Sequence, residues 1–565
     1  GACSSKTTTD AWENALVHFF GGMPVISSPF RLWEGFSGAT VQSNGVLFEG
    51  LDRKLSPLPE STDAPVHNPS LNLAMRFQVS GDFAINITAT LTAANSTYFL
   101  FHGVIPMVQD EWYYAQSTFK AQIVNGDWCY WTMYHPDNTE SGNAAASVGT
   151  NVIYTFKREG TELVFLTNGV EVTRQSDMCL FADGVVYLSL DEANVGATFL
   201  VTQITTTGTV EETPVRSVPK TAGTLRDKAG KFRIGTAVAT YPMVFDEQYR
   251  TILGNEFNQI TPENCMKFQF IQPARGVYDF YESDKLIDYA ERNGMEVHGH
   301  TVAWNEATPQ WLWDGWLDGS ITASEVGEIL DEHIERLFGR YKGRMVSFDL
   351  INEPFLDWTD QLRDSVWYQA LGRGYIERAL RKAHEVDPDV LLFINEWGCE
   401  EAGDKQDFLF NLVVELQTAG VPIHGIGLQM HEDVNADYQA TWPRNTSSVT
   451  KAHLKSAIAR FKSLGIEVRV SELDINQYQN YAATPKAVAD WYAQYLEACI
   501  EEGAHSFTMW GFTDRWSSLN EWYDYYNHGN GLIYDAQYQP KLSYQALSNK
   551  LDEMASSLTV GRLFF

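Results

Sequence analysis

From about Leu225 to about Ala555 the chain alternates short apolar runs with amphipathic, helix-like stretches about eight times. The runs are FRIGTAVA, NQITPEN, MEVHGHTVAW, MVSFDLINEP, VLLFINEW, IHGIGLQMH, EVRVSELDI and SFTMWGF. Apolar runs of strand length, each followed by a stretch of helical period, read as buried parallel strands joined by helices. Eight such units predict a (β/α)8 TIM barrel of the α/β class, closed by a final helix near Tyr544 to Met554. In such barrels the chemistry sits at the C-terminal strand ends, and here the polar residues collect there: Glu263 and Asn264, His300 and Trp304, Asn352 and Glu353, Asn395 and Glu396, Gln429 and His431, Glu472 and Asp474, then Trp510. One charged strand end is noise; seven on one rim form a site.

Two of these ends define a chemistry. In VRVSELDI, Glu472 and Asp474 stand at i and i+2 and project to one side of their strand. A salt-bridged strand end would explain that pair alone. SFDLINEPF adds Glu353, again closing an apolar run, and two opposed strand-end glutamates are what acid-assisted displacement at a sugar carbon requires. A close pair supports retention of configuration and a wider one inversion; sequence leaves both open. His431, from the sixth strand, neighbours the seventh, so a Glu472, His431 and Asp474 hydrogen-bonded chain is expected. An imidazole that donates to a carboxylate stabilises its charge, which suits Glu472 to the nucleophile's part and leaves Glu353 as general acid. Asn352 is placed to hold a sugar 2-hydroxyl. Metal hydrolysis is the competing class, because HGH puts His298 and His300 on one strand face. That pair falls on the third strand, whereas metal-dependent barrels carry it on the first, and His298 reads better as a core histidine.

TPENCMKF, HGHTVAW, DLINEP, LQMH, VSELDI and MWGFTDRW, in this order, resemble the motifs of family 10 glycoside hydrolases, predominantly endo-β-1,4-xylanases. The resemblance runs from about Leu225 to about Leu551, and the flanking TLRDKAGKFRIGTAV and YDAQYQPKLSYQAL agree with it. It implies a retaining endo-β-1,4-xylanase acting on xylan and xylo-oligosaccharides, with Glu353 as acid/base, Glu472 as nucleophile, and no cofactor or metal. It implies that Glu263, Asn264 and Lys267 grip the sugar one place further towards the non-reducing end. His300 and Trp304 would line the subsite of the cleaved sugar, Trp510 would roof it, and Gln429 and His431 would orient the catalytic groups. Asn395 and Glu396 match a position that is usually Asn-Asp and read as supporting. The chain departs from the family at Asn305, where a His is common, at Ala307, where a Gln is, and at Ser518, where a second roof tryptophan is expected. Trp516 or Trp522 is a candidate replacement. Two rivals remain: a xylan-binding protein with an impaired barrel, and a family member acting on another β-1,4-linked glycan.

Upstream the texture differs. From about Trp12 to about Gly208, segments such as LNLAMRFQV, FAINITATL and YTFKREGTELVFLTNGVEV alternate apolar with polar residues between Gly, Asn and Asp, which predicts an antiparallel β-sandwich of jelly-roll type. Trp112 with Tyr114, and Trp128 with Tyr130 opposite Trp131, make either a sugar-binding platform or an aromatic core. The expected order is a tether over 1–11, the β-sandwich over 12–208, a Pro- and Thr-rich linker over 209–224, the barrel over 225–555 and a tail over 556–565. With 41 basic against 72 acidic residues the chain carries a formal charge of −31, which argues against nucleic acid and anionic lipid surfaces as partners and favours a neutral ligand. No run is long enough to span a membrane. Gly1, Ala2 and Cys3 before a Ser/Thr-rich stretch resemble the end of a bacterial lipoprotein signal, so either Cys3 carries a lipid anchor or it is incidental. A secreted or surface-anchored monomer is expected. The six cysteines show no CxxC or Cys/His cluster, and Cys129 and Cys179 are candidates to pair in an oxidising compartment.

Overall fold

The structure is a computed structural model. It describes strands between residues 39 and 212, and residues 214–561 apart from 273–274, 277, 357–360, 434–448, 479–483 and 520–527. Cys3, Trp112, Tyr114, Cys179 and Trp522 lie outside the described residues, as do the side chains of Trp128, Cys129, Tyr130 and Trp131. The chain divides into two compact units, one of Gly1–Pro214 with Gln269–Glu282 and Pro309–Trp311, the other of Val215–Phe268, Ser283–Thr308 and Leu312–Phe565.

In the first unit the strands of the N-terminal region pair antiparallel. Phe77–Thr92 lies between Thr198–Glu212 and Val152–Glu159. Its alternation is physical: Phe83, Ile85, Ile87 and Ala89 are buried while the residues between them are partly exposed, the period of two that a one-sided sheet imposes. Glu162–Thr167 and Val170–Ser176 form a hairpin joined by Asn168-Gly169, both at positive φ (50° and 76°). Asn-Gly favours this turn because both central residues must be left-handed. Tyr154 stacks on Phe165 within this sheet.

In the second unit eight parallel strands close on themselves. They are β1 (Arg233–Val238), β2 (Gln259–Pro262), β3 (Glu296–Ala303), β4 (Ser347–Asn352), β5 (Leu391–Glu396), β6 (Gly425–Leu428), β7 (Glu467–Tyr478) and β8 (Ser506–Met509). Each pairs with the next, and β8 pairs back onto β1 with Arg233 opposite Ser506. These are the eight apolar runs of the sequence, and the final helix extends past its expected end, covering Leu542–Gly561. The helices α1 (Glu247–Glu256), α2 (Tyr281–Arg292), α3 (Ala323–Arg340), α4 (Gly374–Val386), α5 (Asp404–Thr418), α6 (Lys451–Lys462) and α7 (Pro485–Glu501) separate the strands. Their starts are encoded locally. Thr322 and Glu325 form a reciprocal capping box at α3, and Thr484 caps α7 just ahead of Pro485.

Where a linker was expected over 209–224, the strand Thr198–Glu212 takes up the first four residues. Within the second unit, the Val218 amide donates to Asn293 Oδ1 at 3.0 Å, and Lys220 Nζ donates to the Gly254 and Asn293 carbonyls. Among the described residues no helix is long and apolar enough to cross a membrane.

Close strand packing leaves no room at Gly425, where an added Cβ would intrude on the ring of Phe393 in the neighbouring strand. Gly425→Ala is therefore expected to lower stability by about 1–3 kcal/mol. Gly339→Ala, in the exposed last turn of α3 with open space around it, is expected to be neutral or to stabilise by up to about 1 kcal/mol. Urea unfolding of the two variants beside the wild type checks both signs.

Candidate active site

The mouth is built from strand ends that each deliver one polar side chain. β4 ends in Asn352 and passes into Glu353, whose φ of 48° turns the chain out of the strand. The Glu353 amide donates to the Asn395 carbonyl of β5 at 2.9 Å. Gln429 follows β6, and its Nε2 donates to Glu353 Oε1 at 3.0 Å; Asn352 Nδ2 lies 3.4 Å from the same oxygen. On the other side, Arg363 Nη2 stands 3.9 Å from Glu353 Oε2 and Arg363 Nε donates to the Glu353 carbonyl at 3.3 Å.

Glu472 lies within β7 and is only 5 % exposed. Its two oxygens have separate donors: His431 Nε2 at 3.1 Å on Oε2, and Asn395 Nδ2 at 2.5 Å on Oε1. The other ring nitrogen of His431 meets Asp474 Oδ2 at 3.0 Å, so the expected Glu472, His431 and Asp474 chain is formed. Burial pushes the Glu472 carboxyl up, but the hydrogen bond from His431 and the nearby imidazoles of His300 and His431 outweigh it and hold the group below its ordinary 4.5. Burial would likewise push the His431 imidazolium down. The charge and hydrogen bond of Asp474, then those of Glu472, carry it well above 6.5. The ring keeps 38 % of its side chain exposed, which weakens the burial penalty and favours that direction.

Asn395 joins the two carboxylates. Its Nδ2 also donates to Asn352 Oδ1 at 2.8 Å, and its Oδ1 accepts from Ser471 Oγ at 2.6 Å. It lies so close over Gly427 that no Cβ fits there. This residue was read as supporting; the structure makes it the link between Asn352 and Glu472.

A second group lines the mouth beyond β2 and β3. Lys267 Nζ donates to Asn264 Oδ1 at 2.8 Å and sits 4.8 Å over the Trp304 ring. Burial lowers its pKa, opposed by the charges of Glu263, Glu472, Glu306 and Glu353. That places Glu306, which the sequence reading passed over, in the field of the mouth. His300 packs edge-on to Trp510 at 5.3 Å and lies 6.3 Å from Trp304. Ala307 is buried, and the Trp516 indole donates to the Tyr538 hydroxyl at 3.0 Å.

Beneath the mouth lies a charged layer also missed in the sequence. Asp349 Oδ2 is 3.1 Å from His300 Nδ1, its Oδ1 is 2.9 Å from His298 Nε2, and Arg469 Nη1 stands 3.9 Å away. His298 Nδ1 meets Ser347 Oγ at 2.7 Å. Burial, with the Arg469 charge, pushes the His298 imidazole down to about 4. The HGH pair thus faces one carboxylate, and His298 is fully buried with its Nδ1 on Ser347. Among the described residues no group of three His, Cys, Asp or Glu side chains is arranged to hold a metal ion.

An eight-stranded barrel carrying strand-end glutamates at a mouth lined with sugar-sized aromatic and hydrogen-bonding groups is the architecture of a glycoside hydrolase. The model of glycosyl hydrolase family 10 matches residues 224–550, more than half of the chain, and the chain belongs to that family. It is 35% identical to a β-1,4-xylanase of Dictyoglomus thermophilum over 326 residues, 55% of this chain and 86% of that protein. It is 34% identical to endo-1,4-β-xylanase B of Thermotoga neapolitana over 313 residues, 54% of this chain and 84% of that one. Xylanase 10B of Thermotoga petrophila, solved with xylobiose, superposes with a TM-score of 0.53 at 32% identity, over 59% of this chain and 98% of that structure. The N-terminal region lies outside the family match.

Since His431 is held above 6.5, its stabilising contribution is complete below that value and is lost as pH rises through the raised folded value. In Asp474→Asn the largest raising influence is gone, so the His431 titration is expected to move to lower pH. An NMR titration of the imidazole protons, assigned with His431→Asn, reads the shift directly.

Proposed function

We propose that the chain is a retaining endo-β-1,4-xylanase that hydrolyses internal bonds of xylan by double displacement. Glu472 is the nucleophile. Its oxygen attacks the anomeric carbon as Glu353 gives its proton to the departing glycosidic oxygen, leaving a glycosyl ester on Glu472. Glu353, now a carboxylate, then takes a proton from water, which attacks the same carbon and releases Glu472. The observation that carries the reading is the asymmetry of the two carboxylates. Glu472 is buried yet held below its ordinary pKa by His431, as a nucleophile must be, while Glu353 is met by the Gln429 amide and an arginine at a distance.

The neighbours take supporting parts. Asn352, fixed through Asn395, presents its amide to the sugar 2-hydroxyl, a contact that strengthens as positive charge develops on the ring. Glu263, Asn264 and Lys267 bind the next sugar towards the non-reducing end, and Trp304, His300 and Trp510 form the walls of the subsite where cleavage occurs. The relatives named above as xylanases support xylan as the polymer. The N-terminal strands serve as a carbohydrate-binding module, raising local substrate concentration for the linked barrel.

Incubation with arabinoxylan and glucuronoxylan, with reducing ends assayed and the product anomer followed by NMR, tests this. The wild type is expected to release β-anomeric oligosaccharides from xylan and little from cellulose. Glu472→Ala is expected to lose on the order of 10⁴ in rate, and Glu353→Ala about 10² or more on the polymer. Release of the α-anomer first would refute the retaining assignment, and no release from either xylan would refute the substrate.

A further inference from the structure

Two buried carboxylates stand at the end of β5 and just beyond it, Glu396 and Glu400, and each accepts a backbone amide at or within two residues of a left-handed residue that follows a neighbouring strand. Glu400 Oε1 accepts the amide of Met430, which has a φ of 64° and lies between Gln429 and His431. Glu396 Oε2 accepts the amide of Phe355 at 3.2 Å, two residues after Glu353 with its φ of 48°. A non-glycine residue in this region costs about 1–2 kcal/mol, so the turn must be restrained from outside. Glu353 and Phe355 are restrained on both flanks, one amide by the Asn395 carbonyl and the other by the next side chain in the same strand.

Glu396 is fully buried. Its other oxygen accepts the Trp397 amide at 3.1 Å and lies 2.9 Å from Lys405 Nζ, which sits 3.5 Å over the Trp397 ring. Burial pushes the carboxyl up to about 7, opposed by Lys405 and reinforced by the Glu353 charge. A buried ion pair of this kind is weak evidence for a role in stability, since an apolar pair of equal volume serves as well or better. Its geometry points elsewhere. Of the oxygens available, one is spent on the turn that aims the proposed acid/base.

We propose that Glu396, held by Lys405, is a positioning residue for Glu353: by fixing the Phe355 amide it sets the direction in which the Glu353 carboxyl leaves the strand. The inference rests on the proposed acid/base role of Glu353. Misaiming that carboxyl impairs proton delivery to a poor leaving group. It has far less effect on an activated aryl glycoside, whose leaving group departs without a proton. A structural defect would slow both alike.

The test compares kcat/KM on xylotetraose with kcat/KM on 2,4-dinitrophenyl β-xylobioside in two double variants that differ only in the acceptor. Both remove the lysine, so that no unpaired ion is buried: Glu396→Met/Lys405→Met has no good acceptor for the amide, and Glu396→Gln/Lys405→Met keeps one. The ratio of activated to natural substrate is expected to rise at least about tenfold in the methionine variant, a fraction of the 10²–10⁴ a general acid contributes, and to stay within about threefold of the wild type in the glutamine variant. Equal ratios in the two variants, or a methionine variant with the wild-type ratio, would overturn the proposal. If the methionine variant does not fold, hydrogen exchange of the Phe355 amide in the wild type decides: slow exchange supports the restraint and fast exchange refutes it. A wild type inert toward xylotetraose but active on the aryl xylobioside would remove the reading of Glu353, and this inference with it, while leaving the nucleophile in place.

Discussion

A carboxylate that is 5 % exposed keeps its charge only if something near it compensates the water it has lost. The effective cost of burying an unpaired ion is several kcal/mol, more than a single neutral hydrogen bond returns. Glu472 meets the requirement with one charged and one amide donor, one on each oxygen. The charged donor is itself maintained by a further carboxylate, Asp474, on the same strand and face. Removing Asp474 would therefore act on Glu472 at one remove, through the protonation of the ring between them. The rest of the mouth is arranged so that this chain can exist: the short strand His431–Asp433, which follows β6, pairs parallel with β7 and sets His431 opposite Asp474.

The same economy of donors couples the two sides of the mouth. Asn395 spends two donor hydrogens on Glu472 and Asn352 and its carbonyl oxygen on Ser471, which leaves it no freedom to rotate. Asn352 is thereby oriented with its own amide towards Glu353. A displacement on one carboxylate's strand is felt at the other through a single amide group. Gly427 belongs to this linkage without touching either carboxylate, because only the absence of a side chain lets Asn395 lie where it does.

The barrel and its rim were legible because both rest on patterns that a chain shows locally. Eight apolar runs give eight strands, the charged residue that ends such a run stands at the mouth, and i, i+2 spacing put Glu472 and Asp474 on one side. The chain through His431 followed from strand adjacency alone. Asp349 and Arg469 were not found, although a signal existed. Each is a lone charge in the middle of an apolar run, and a charge that must be buried requires an opposite one. SFDLINEP holds the acidic one, Asp349, and EVRVSELDI the basic one, Arg469. What sequence could not give is which strands bring them within reach, since β4 and β7 face each other only once the barrel closes. Glu400, and the backbone contact made by Glu396, were hidden for a different reason. Their partners are backbone amides, and no residue type reports that an amide needs an acceptor.

The charged layer under the mouth explains why the HGH segment is poorly suited to metal chemistry in this chain. A ligand imidazole needs a free nitrogen, and its other nitrogen fixes the ring. His298 has one nitrogen on Ser347 and the other against Asp349, so it has none to offer. His300 gives Nδ1 to the same carboxylate, and its ring lies edge-to-face with Trp510 at 5.3 Å. One buried carboxylate thus divides two otherwise equivalent histidines. It holds the deeper one in the core and leaves the shallower one packed against Trp510. Arg469, fully buried and hydrogen-bonded to Thr508 at 2.9 Å, offsets the negative charge of Asp349. Asp349 still pushes the Glu472 carboxyl above it upward, and the His431 hydrogen bond with the charges of His300 and His431 outweighs it.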